Sequence, residues 1–275
     1  MVSEVFLEIT EEPAYISPLA LASLSIVHLG APFYSIIRGY NMLIGVLALQ
    51  GAFLEHYTHL NKVRSEQDLD FDVTLVRTTE ELKKCDALVL CGGESTVMLA
   101  QAARHPGLLE ELTEFCQDPQ KPVYGSCAGM ILMADIDGVA GGKRPQKGLG
   151  AIPGMNIWRN LYGNQLASFE AQLEMPELSN PSLPFPAIFI RAPAIHSLAP
   201  TGKATGDVSF QPLCSLPPDL AADAPPSDGP LGPADEEALR VVAVRKGKKM
   251  ATSFHPELSP DLRIHEYFVR KVCME

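Results

Sequence analysis

Short apolar runs that end in glycine-rich turns recur along this chain, and they restrict its fold more than any other feature. The runs LIGVLAL and ALVLC end at Gln50-Gly51 and Gly92-Gly93, and a third run, KPVY, leads into GSCAG at residues 125–129. Continuous apolar runs are typical of strands buried on both faces of a parallel sheet. Because a helix-like pattern follows each turn, the sequence predicts an α/β fold in three layers, with a mostly parallel central sheet flanked by helices.

Cys127 lies in the third of these turns, between a predicted strand and a predicted helix. Its small neighbours permit a sharp, strained turn that exposes the side chain at the carboxyl end of the sheet. The N–H groups and dipole of the following helix favour a thiolate there. Two interpretations stay open from these residues alone: a nucleophile, or a small buried hydrophobe, as most cysteines are.

The second turn continues as Gly92-Gly93-Glu94-Ser95-Thr96 and also opens a helix. Its two glycines let backbone N–H groups approach a ligand closely. The loop lacks the Gly-Lys-Ser/Thr ending of a P-loop and the spacing of a dinucleotide fold, so a backbone oxyanion donor fits better than a nucleotide site. Because ligands bind beyond the carboxyl ends of the strands in an open sheet, we expect this loop and Cys127 to face one pocket.

A His-x-Glu pair, His255 and Glu257, closes a late strand-like run. Histidine has an ordinary pKa of about 6.5, so it can take a proton from a thiol and return it to a leaving amine. A carboxylate two residues later can fix the imidazole tautomer, which would complete a triad with Cys127. A lone histidine is more often structural, and the same choice applies to Arg191, which suits either a solvated strand end or a carboxylate ligand.

Composition excludes several classes of function. A formal net charge of -11 and a pI near 5.1 argue against a nucleic-acid binder. No run of about 18 uncharged residues has the continuous apolar character that a membrane span requires. The six cysteines are scattered singly, which is typical of a reducing compartment, here the cytoplasm. His56 and His59 share one predicted helix but supply only two ligands, so no metal site is expected.

Two stretches fall outside the βα pattern. Residues 1–41 resemble neither a secretory signal nor a transit peptide, and we expect them to be a poorly ordered N-terminal extension. Residues 42–275 are then one domain. Within it, residues 201–235 are rich in Pro, Asp, Gly, Ala and Ser, and we expect a flexible insertion there because such a composition buries little apolar area.

From Met42 onward the chain resembles the class I glutamine amidotransferases, with their flavodoxin-like fold, and within them the glutaminase subunits of pyridoxal 5'-phosphate synthase. Six ordered motifs carry this resemblance: GVLALQGAFLEH (45–56), GGEST (92–96), GSCAGMI (125–131), WRNLYGNQLASFE (158–170), FIRAP (189–193) and SFHPEL (253–258). Two positions depart from the family pattern. Cys91 replaces a proline common in relatives, and His196 falls two positions later than a histidine often found after Arg-Ala-Pro.

The resemblance implies a glutaminase without a cofactor. Such an enzyme hydrolyses L-glutamine to L-glutamate and ammonia, and the ammonia passes to a separate synthase subunit that makes pyridoxal 5'-phosphate (vitamin B6). It implies that Cys127 is the nucleophile, His255 the general base and Glu257 its orienting acid. The remaining implied residues are the oxyanion donors Gly93 and Ala128, the glutamine-binding residues Gly93, Glu94, Ser95, Arg159, Ile190 and Arg191, and the partner contact Gln50.

Two other functions stay open at this point. The chain could be a catalytically idle subunit that binds glutamine or serves as a scaffold, although its complete Cys, His and Glu positions disfavour this. It could also be a free-standing amide hydrolase with a cysteine nucleophile, acting on a substrate larger than glutamine.

We expect a chain that lacks residues 1–41 to be folded and active, because Met42 directly precedes the first strand-like run. Soluble yield and the rate of glutamate release, compared with the full chain, measure this. Loss of either would contradict the assignment of residues 1–41 to an appendage.

Overall fold

The computed structural model describes residues 41–163, 165–199 and 209–275. The predicted extension, residues 1–41, therefore lies outside the described residues except for Asn41. Residues 201–208, the start of the predicted insertion, also lie outside them.

Strands and helices alternate over residues 42–133 as the sequence predicts, and in the part of the chain that the structure describes six strands then follow without an α-helix between them. The twelve strands in this part of the chain are β1 (Met42–Leu47), β2 (Phe71–Val76), β3 (Ala87–Leu90), β4 (Val123–Ser126), β5 (Val139–Ala140), β6 (Met155–Trp158), β7 (Phe169–Leu173), β8 (Phe185–Phe189), β9 (Ala194–Leu198), β10 (Gln211–Ser215), β11 (Val241–Lys246) and β12 (Lys249–Thr252). The seven α-helices there are α1 (Phe53–Glu66), α2 (Thr79–Leu82), α3 (Ser95–Ala102), α4 (Leu108–Gln117), α5 (Ala128–Met133), α6 (Glu236–Arg240) and α7 (Arg263–Tyr267). Short 3-10 turns are Gln165–Ala167, Pro218–Leu220 and Pro256–Leu258, and a π-helical segment, Phe268–Cys273, continues α7. Among the described helices, none has the length and apolar character that crossing a membrane requires.

A seven-stranded sheet forms the centre of the fold, in the order β10-β11-β12-β4-β3-β1-β2. The five strands from β12 to β2 are parallel, whereas β11 runs antiparallel to both of its neighbours. Strands β5, β6 and β9 form a second sheet, and β7 and β8 form a hairpin. In the register of the large sheet, Ser126 pairs with Thr252, and Gly125 pairs with Leu90. The carboxyl ends of β3, β4 and β12 therefore lie side by side.

The position of β3 in the middle of the sheet explains why its sequence is continuously apolar. All four of its residues are fully buried. Ala87 and Val89 belong to one hydrophobic cluster, which also contains Leu60 of α1. Leu88 and Leu90 belong to the other, with side chains from α3, α4 and α5. Since successive side chains of a strand point to opposite faces, the sheet has an apolar layer on each side, and the predicted three-layer α/β class is confirmed.

Residues 209–235 differ from the flexible insertion that their composition predicts. They contain β10, which pairs with β11 at the edge of the large sheet. Leu213 and Leu216 are buried in the same cluster as β1 and α1. An edge strand tolerates Pro212 because it needs hydrogen bonds on one side only. The Pro-rich composition thus gives no indication of this strand, although a few apolar residues of the segment are buried in the core.

The end of this segment lies against the second sheet. The Trp158 and His196 rings stack with their centroids 6.1 Å apart, and His196 Nε2 lies 3.3 Å from the carbonyl oxygen of Gly232. Backbone N–H of Asp235 donates to the carbonyl of His196 at 3.0 Å. His196 therefore holds residues 229–235 in place.

Truncation of Leu216 tests whether this segment belongs to the core. Leu216 is fully buried and Leu220 is 39% exposed. We expect Leu216→Ala to lower the free energy of unfolding by about 2–4 kcal/mol through loss of buried area and a residual cavity. The matched variant Leu220→Ala should cost less than about 1 kcal/mol. Urea unfolding measures both, and equal small losses would support a flexible insertion instead.

Candidate active site

Cys127 occupies a strained turn between β4 and α5. Its φ of 47° and ψ of -102° lie in a region that residues other than glycine rarely adopt. Its backbone N–H donates to the carbonyl of Thr252 at 2.8 Å, which ties the turn to the end of β12. Strain of this kind costs about 1–3 kcal/mol and persists where neighbouring structure enforces it, often at functional sites. The Cys127 thiol itself lies 3.9 Å from the carbonyl oxygen of Ile190.

Two glycines around Cys127 allow α5 to pack directly on the sheet. A Cβ added at Gly129 would lie 2.0 Å from the carbonyl oxygen of Leu90. One added at Gly125 would lie 2.6 Å from the backbone of Gly129. Both distances are far below van der Waals contact, so no larger residue fits without moving the helix. The Gly-Ser-Cys-Ala-Gly sequence is thus a packing requirement that fixes where the thiol sits.

His255 and Glu257 lie beside this turn, at the end of β12. Backbone N–H of His255 donates to the carbonyl of Ile188 in β8 at 2.8 Å. In the side chains, His255 Nδ1 lies 2.7 Å from Glu257 Oε1. An ionised carboxylate only accepts hydrogen bonds, so Nδ1 carries the proton. His255 and Cys127 line the same cavity. The structure thus brings the three predicted residues together in the order thiol, imidazole, carboxylate.

The charges of this site shift two pKa values in opposite directions. Burial lowers the pKa of His255, but hydrogen bonds and charges from Cys127 and Glu257 outweigh it and raise the pKa to about 10. Burial would raise the pKa of Glu257. The charge and close contact of His56 and the hydrogen bond with His255 outweigh that effect and hold the pKa well below its ordinary range. At neutral pH the site therefore favours an imidazolium at His255 beside an ionised Glu257.

The other thiols of the chain sit in surroundings that suppress their reactivity. Burial raises the pKa of Cys85 and Cys214 to about 11 and that of Cys91 and Cys116 to about 12. Burial also raises the pKa of Cys273. Because the thiolate is the nucleophile, these five cysteines are poor candidates at neutral pH.

A cavity of about 200 Å³ opens beside Cys127. Pockets for drug-sized molecules measure about 300–1,000 Å³, so this one suits a smaller ligand. Its walls come from the loop after β3, the Cys127 turn, the loop after β6 and the end of β8. They are Gly93, Glu94, Ser95, Cys127, Ile131, Asn160, Ile190, Arg191 and His255. Five of the six predicted glutamine-binding residues are among them.

Charged groups of both signs meet at the edge of this cavity. Arg191 Nη2 lies 3.5 Å from Glu94 Oε2, and both side chains are about half exposed. Arg191 has a φ of 49°, and Asn160 on the facing loop has a φ of 57°. A cation beside an anion matches the carboxylate and ammonium groups of a free amino acid. For Arg191, the site interpretation is therefore favoured over a merely solvated strand end.

Arg159 is the predicted glutamine-binding residue that does not line the cavity. Its guanidinium donates to the backbone carbonyls of Gly141 and Arg144 and, at 3.0 Å, to Gln146 Oε1. The same Gln146 oxygen accepts a hydrogen bond from Ser95 Oγ at 2.8 Å. Arg159 thus reaches the cavity through Gln146 and Ser95, and its direct contact with substrate stays a prediction.

The loop after β3 is packed tightly against the turn after β1. A Cβ at Gly92 would lie 2.4 Å from the His255 ring, and one at Gly93 would lie 2.6 Å from Gln50 Oε1. That oxygen accepts a hydrogen bond from the backbone N–H of Glu94 at 2.7 Å. Gln50, the predicted partner contact, is therefore bonded to the predicted oxyanion loop.

Other parts of the described chain provide fewer groups that could take part in catalysis. A groove of about 320 Å³ runs between α1 and residues 260–266, but no cysteine or histidine lines it. In residues 41–163, 165–199 and 209–275, no group of three or more His, Cys, Asp or Glu side chains is placed to hold a metal ion. The cavity at Cys127 is therefore the candidate active site.

Comparison with known families decides between the remaining interpretations. The sequence matches the SNO glutamine amidotransferase family over residues 46–205 and 231–274. The chain belongs to this family. The residues between the two matched ranges, 206–230, fall inside the stretch that was predicted to be an insertion.

Named relatives align with this chain over most of its length. Pyridoxal 5'-phosphate synthase subunit PdxT of Clavibacter sepedonicus is 39% identical over 86% of this chain and 93% of its own length. Subunit SNO1 of the same synthase from Saccharomyces cerevisiae is 35% identical over 86% of this chain and 96% of its own. A crystal structure of a glutamine amidotransferase is 32% identical, covers 82% of this chain and 97% of its own, and superimposes with a TM-score of 0.59. The predicted family, fold class and enzyme class are confirmed.

Sequence reasoning missed several residues of this SNO-family site. Ile131 was detectable, because it lies four residues after Cys127 and so on the same face of α5. Asn160 follows Arg159 in a motif that was already singled out, but only its backbone conformation brings it to the cavity. Gln146 carried no signal. His56 ends the motif at residues 45–56, but its contact with Glu257 is formed by tertiary packing alone.

Gly129→Ala tests whether the close packing of α5 on the sheet positions the Cys127 thiol. We expect a loss of about 1–3 kcal/mol in unfolding free energy and slower alkylation of Cys127, because the new methyl group pushes α5 off β3. The control is Gly232→Ala, whose Cβ meets nothing within 4 Å although its φ is +72°. It should cost only backbone strain and leave the alkylation rate unchanged. Unchanged Cys127 alkylation in Gly129→Ala would contradict this account.

Proposed function

We propose that this chain hydrolyses L-glutamine to L-glutamate and ammonia, with Cys127 as the nucleophile, His255 as the acid and base, and Glu257 as the group that orients His255. The observation that carries the proposal is the Cys127 thiol and the His255 imidazole on the wall of one small cavity, with the Glu257 carboxylate bonded to His255 Nδ1. Membership of a glutamine amidotransferase family supports glutamine as the substrate.

The chemistry follows from the protonation states of the site. The Cys127 thiolate attacks the side-chain amide carbon of glutamine, and the carbonyl oxygen becomes an oxyanion. We assign its stabilisation to the backbone N–H groups of Gly93 and Ala128. His255 protonates the amide nitrogen, so that ammonia leaves and a glutamyl thioester remains. Water, deprotonated by His255, then attacks the thioester and releases glutamate and the free thiol.

The cavity walls provide the contacts for the rest of the substrate. We assign the α-carboxylate of glutamine to Arg191 and its α-ammonium group to Glu94, because these charges meet at the cavity edge. Ser95 and the backbone of Ile190 complete the pocket, and Arg159 supports Ser95 through Gln146. The small volume argues against amide substrates much larger than a single amino acid.

The names of the relatives support a partner protein. PdxT and SNO1 are subunits of pyridoxal 5'-phosphate synthase. We propose that this chain likewise delivers its ammonia to a synthase subunit for vitamin B6 synthesis, and that the partner docks around Gln50. All six cysteines are free, and we place the activity in the cytoplasm.

Cys127→Ala tests the proposal. With the synthase subunit present, we expect glutamate release to fall by at least about 10³-fold, since loss of a nucleophile removes the covalent route. Binding to the synthase subunit should be unchanged. The control Cys273→Ala removes a thiol from the π-helical segment after α7 and should keep nearly full activity.

Each alternative function predicts a different result. An idle or scaffold subunit would show no glutamate release even for the unaltered chain with its partner. A free-standing hydrolase would act without the partner and on larger amides. Either outcome, or full activity of Cys127→Ala, would contradict the proposal.

A further inference from the structure

The second carboxylate oxygen of Glu257 faces a histidine from another part of the fold. Glu257 is 3% exposed, and its Oε1 is bound by His255. Its Oε2 lies 3.2 Å from Nε2 of His56, a fully buried residue of α1. Among the described residues no donor, His56 included, forms a well-aligned hydrogen bond to this oxygen, so the contact with His56 is an electrostatic one. A buried carboxylate oxygen without a donor is costly, so the His56 contact matters to the state of Glu257.

The neighbours of His56 determine which of its ring nitrogens carries a proton. Its Nε2 also lies 2.9 Å from Ser126 Oγ, next to Cys127 in the chain, and its Nδ1 lies 2.9 Å from Nε2 of His265. Because Glu257 only accepts, His56 must carry its proton on Nε2 to interact favourably. His265 can then donate its Nε2 proton to Nδ1 of a neutral His56, or accept from a protonated one. Both states leave a proton on Nε2, the nitrogen that lies close to both Ser126 Oγ and Glu257 Oε2.

We propose that His56 is a positioning residue for the proposed glutaminase: it holds Glu257 ionised and oriented, and through it the imidazolium of His255. The buried chain Cys127, His255, Glu257, His56 and His265 then forms one connected network. The inference rests on the proposed function only where glutamine turnover is the readout. His56 touches neither the cavity nor Cys127, so its effect is indirect.

The surroundings of His56 contain few other ionisable groups. They are Glu257 and His255 from the end of β12, His265 from α7, Tyr124 from β4 and His59 from α1 itself. Burial, together with the charges of His56 and His59, lowers the pKa of His265 well below its ordinary value, so His265 is neutral at pH 7. Burial raises the pKa of Tyr124, which is also neutral there. Glu257 is thus the anion that faces His56.

Removal of His56 should shift the pH dependence of the thiol in one direction. The charge and close contact of His56 help to keep the pKa of Glu257 low. Without them that pKa rises, Glu257 supports the imidazolium of His255 less, and the thiolate–imidazolium pair forms only at higher pH. The acid limb of Cys127 reactivity therefore moves towards neutral pH.

Three variants of the full chain separate positioning from folding. His56→Leu removes the donor, and His56→Gln replaces it with an amide N–H that can still donate but cannot carry charge. His59→Leu is the matched control, because His59 is a buried histidine one turn along α1. Its ring meets the His265 ring edge-on, with the centroids 4.8 Å apart, and makes no contact with Glu257. The readouts are the pH profile of Cys127 alkylation by iodoacetamide, located by peptide mass spectrometry, and glutamate release with the synthase subunit.

For His56→Leu we expect kcat to fall about 10- to 100-fold with little change in KM, the size expected for a lost hydrogen bond to a buried charge. The acid limb of alkylation should move to higher pH. His56→Gln should recover most of the rate, and His59→Leu should leave both readouts near those of the unaltered chain.

Equal effects of His56→Leu and His59→Leu on the alkylation profile would overturn the positioning role. Failure of His56→Gln to recover the rate, with its stability intact, would do the same. If the unaltered chain is alkylated at Cys127 but releases no glutamate, the proposed function fails, while the alkylation profiles still decide the role of His56.

Discussion

A carboxylate buried between two histidines is the interaction on which the candidate site depends. Ionised carboxylates are expensive to bury unless they are paired and hydrogen-bonded. Glu257 meets this condition through His255 at 2.7 Å and His56 at 3.2 Å. The fixed negative charge then stabilises the imidazolium of His255, which in turn stabilises a thiolate on Cys127. The protonation states of His255 and Glu257 therefore depend on each other.

The backbone brings these side chains together at neighbouring strand ends. Parallel pairing sets the ends of β3, β4 and β12 side by side. Two backbone hydrogen bonds, from Cys127 to Thr252 and from His255 to Ile188, fix the turns that leave those ends. Gly129 lets α5 approach closely enough for the strained Cys127 turn to form. Stability of the sheet and geometry of the thiol are therefore linked, and a change in one strand end affects the others.

Parts of the fold and of the candidate site could be predicted where local sequence patterns and tertiary packing favour the same structure. Strand β3 follows from its apolar run, and α2 begins at a capping box in which the Thr78 hydroxyl and the Glu81 carboxylate each accept a backbone N–H. Cys127, His255 and Glu257 could be named because their chemistry requires particular neighbours in sequence. Strand β10 could not be predicted, because its two buried residues, Leu213 and Cys214, lie within a turn-rich composition. Arg159 and His56 depend on tertiary contacts with residues distant in the chain, which no local pattern records.

The central claim is that Cys127 forms a thioester with the glutamyl group of glutamine. Rapid acid quenching of the full chain with its synthase subunit and glutamine, followed by peptide mass spectrometry, tests this most directly. The account predicts that the peptide containing Cys127 gains the mass of one glutamyl group and that the modification is lost on treatment with hydroxylamine. Ammonia production with no such adduct, or with the glutamyl group on a different residue, would contradict it.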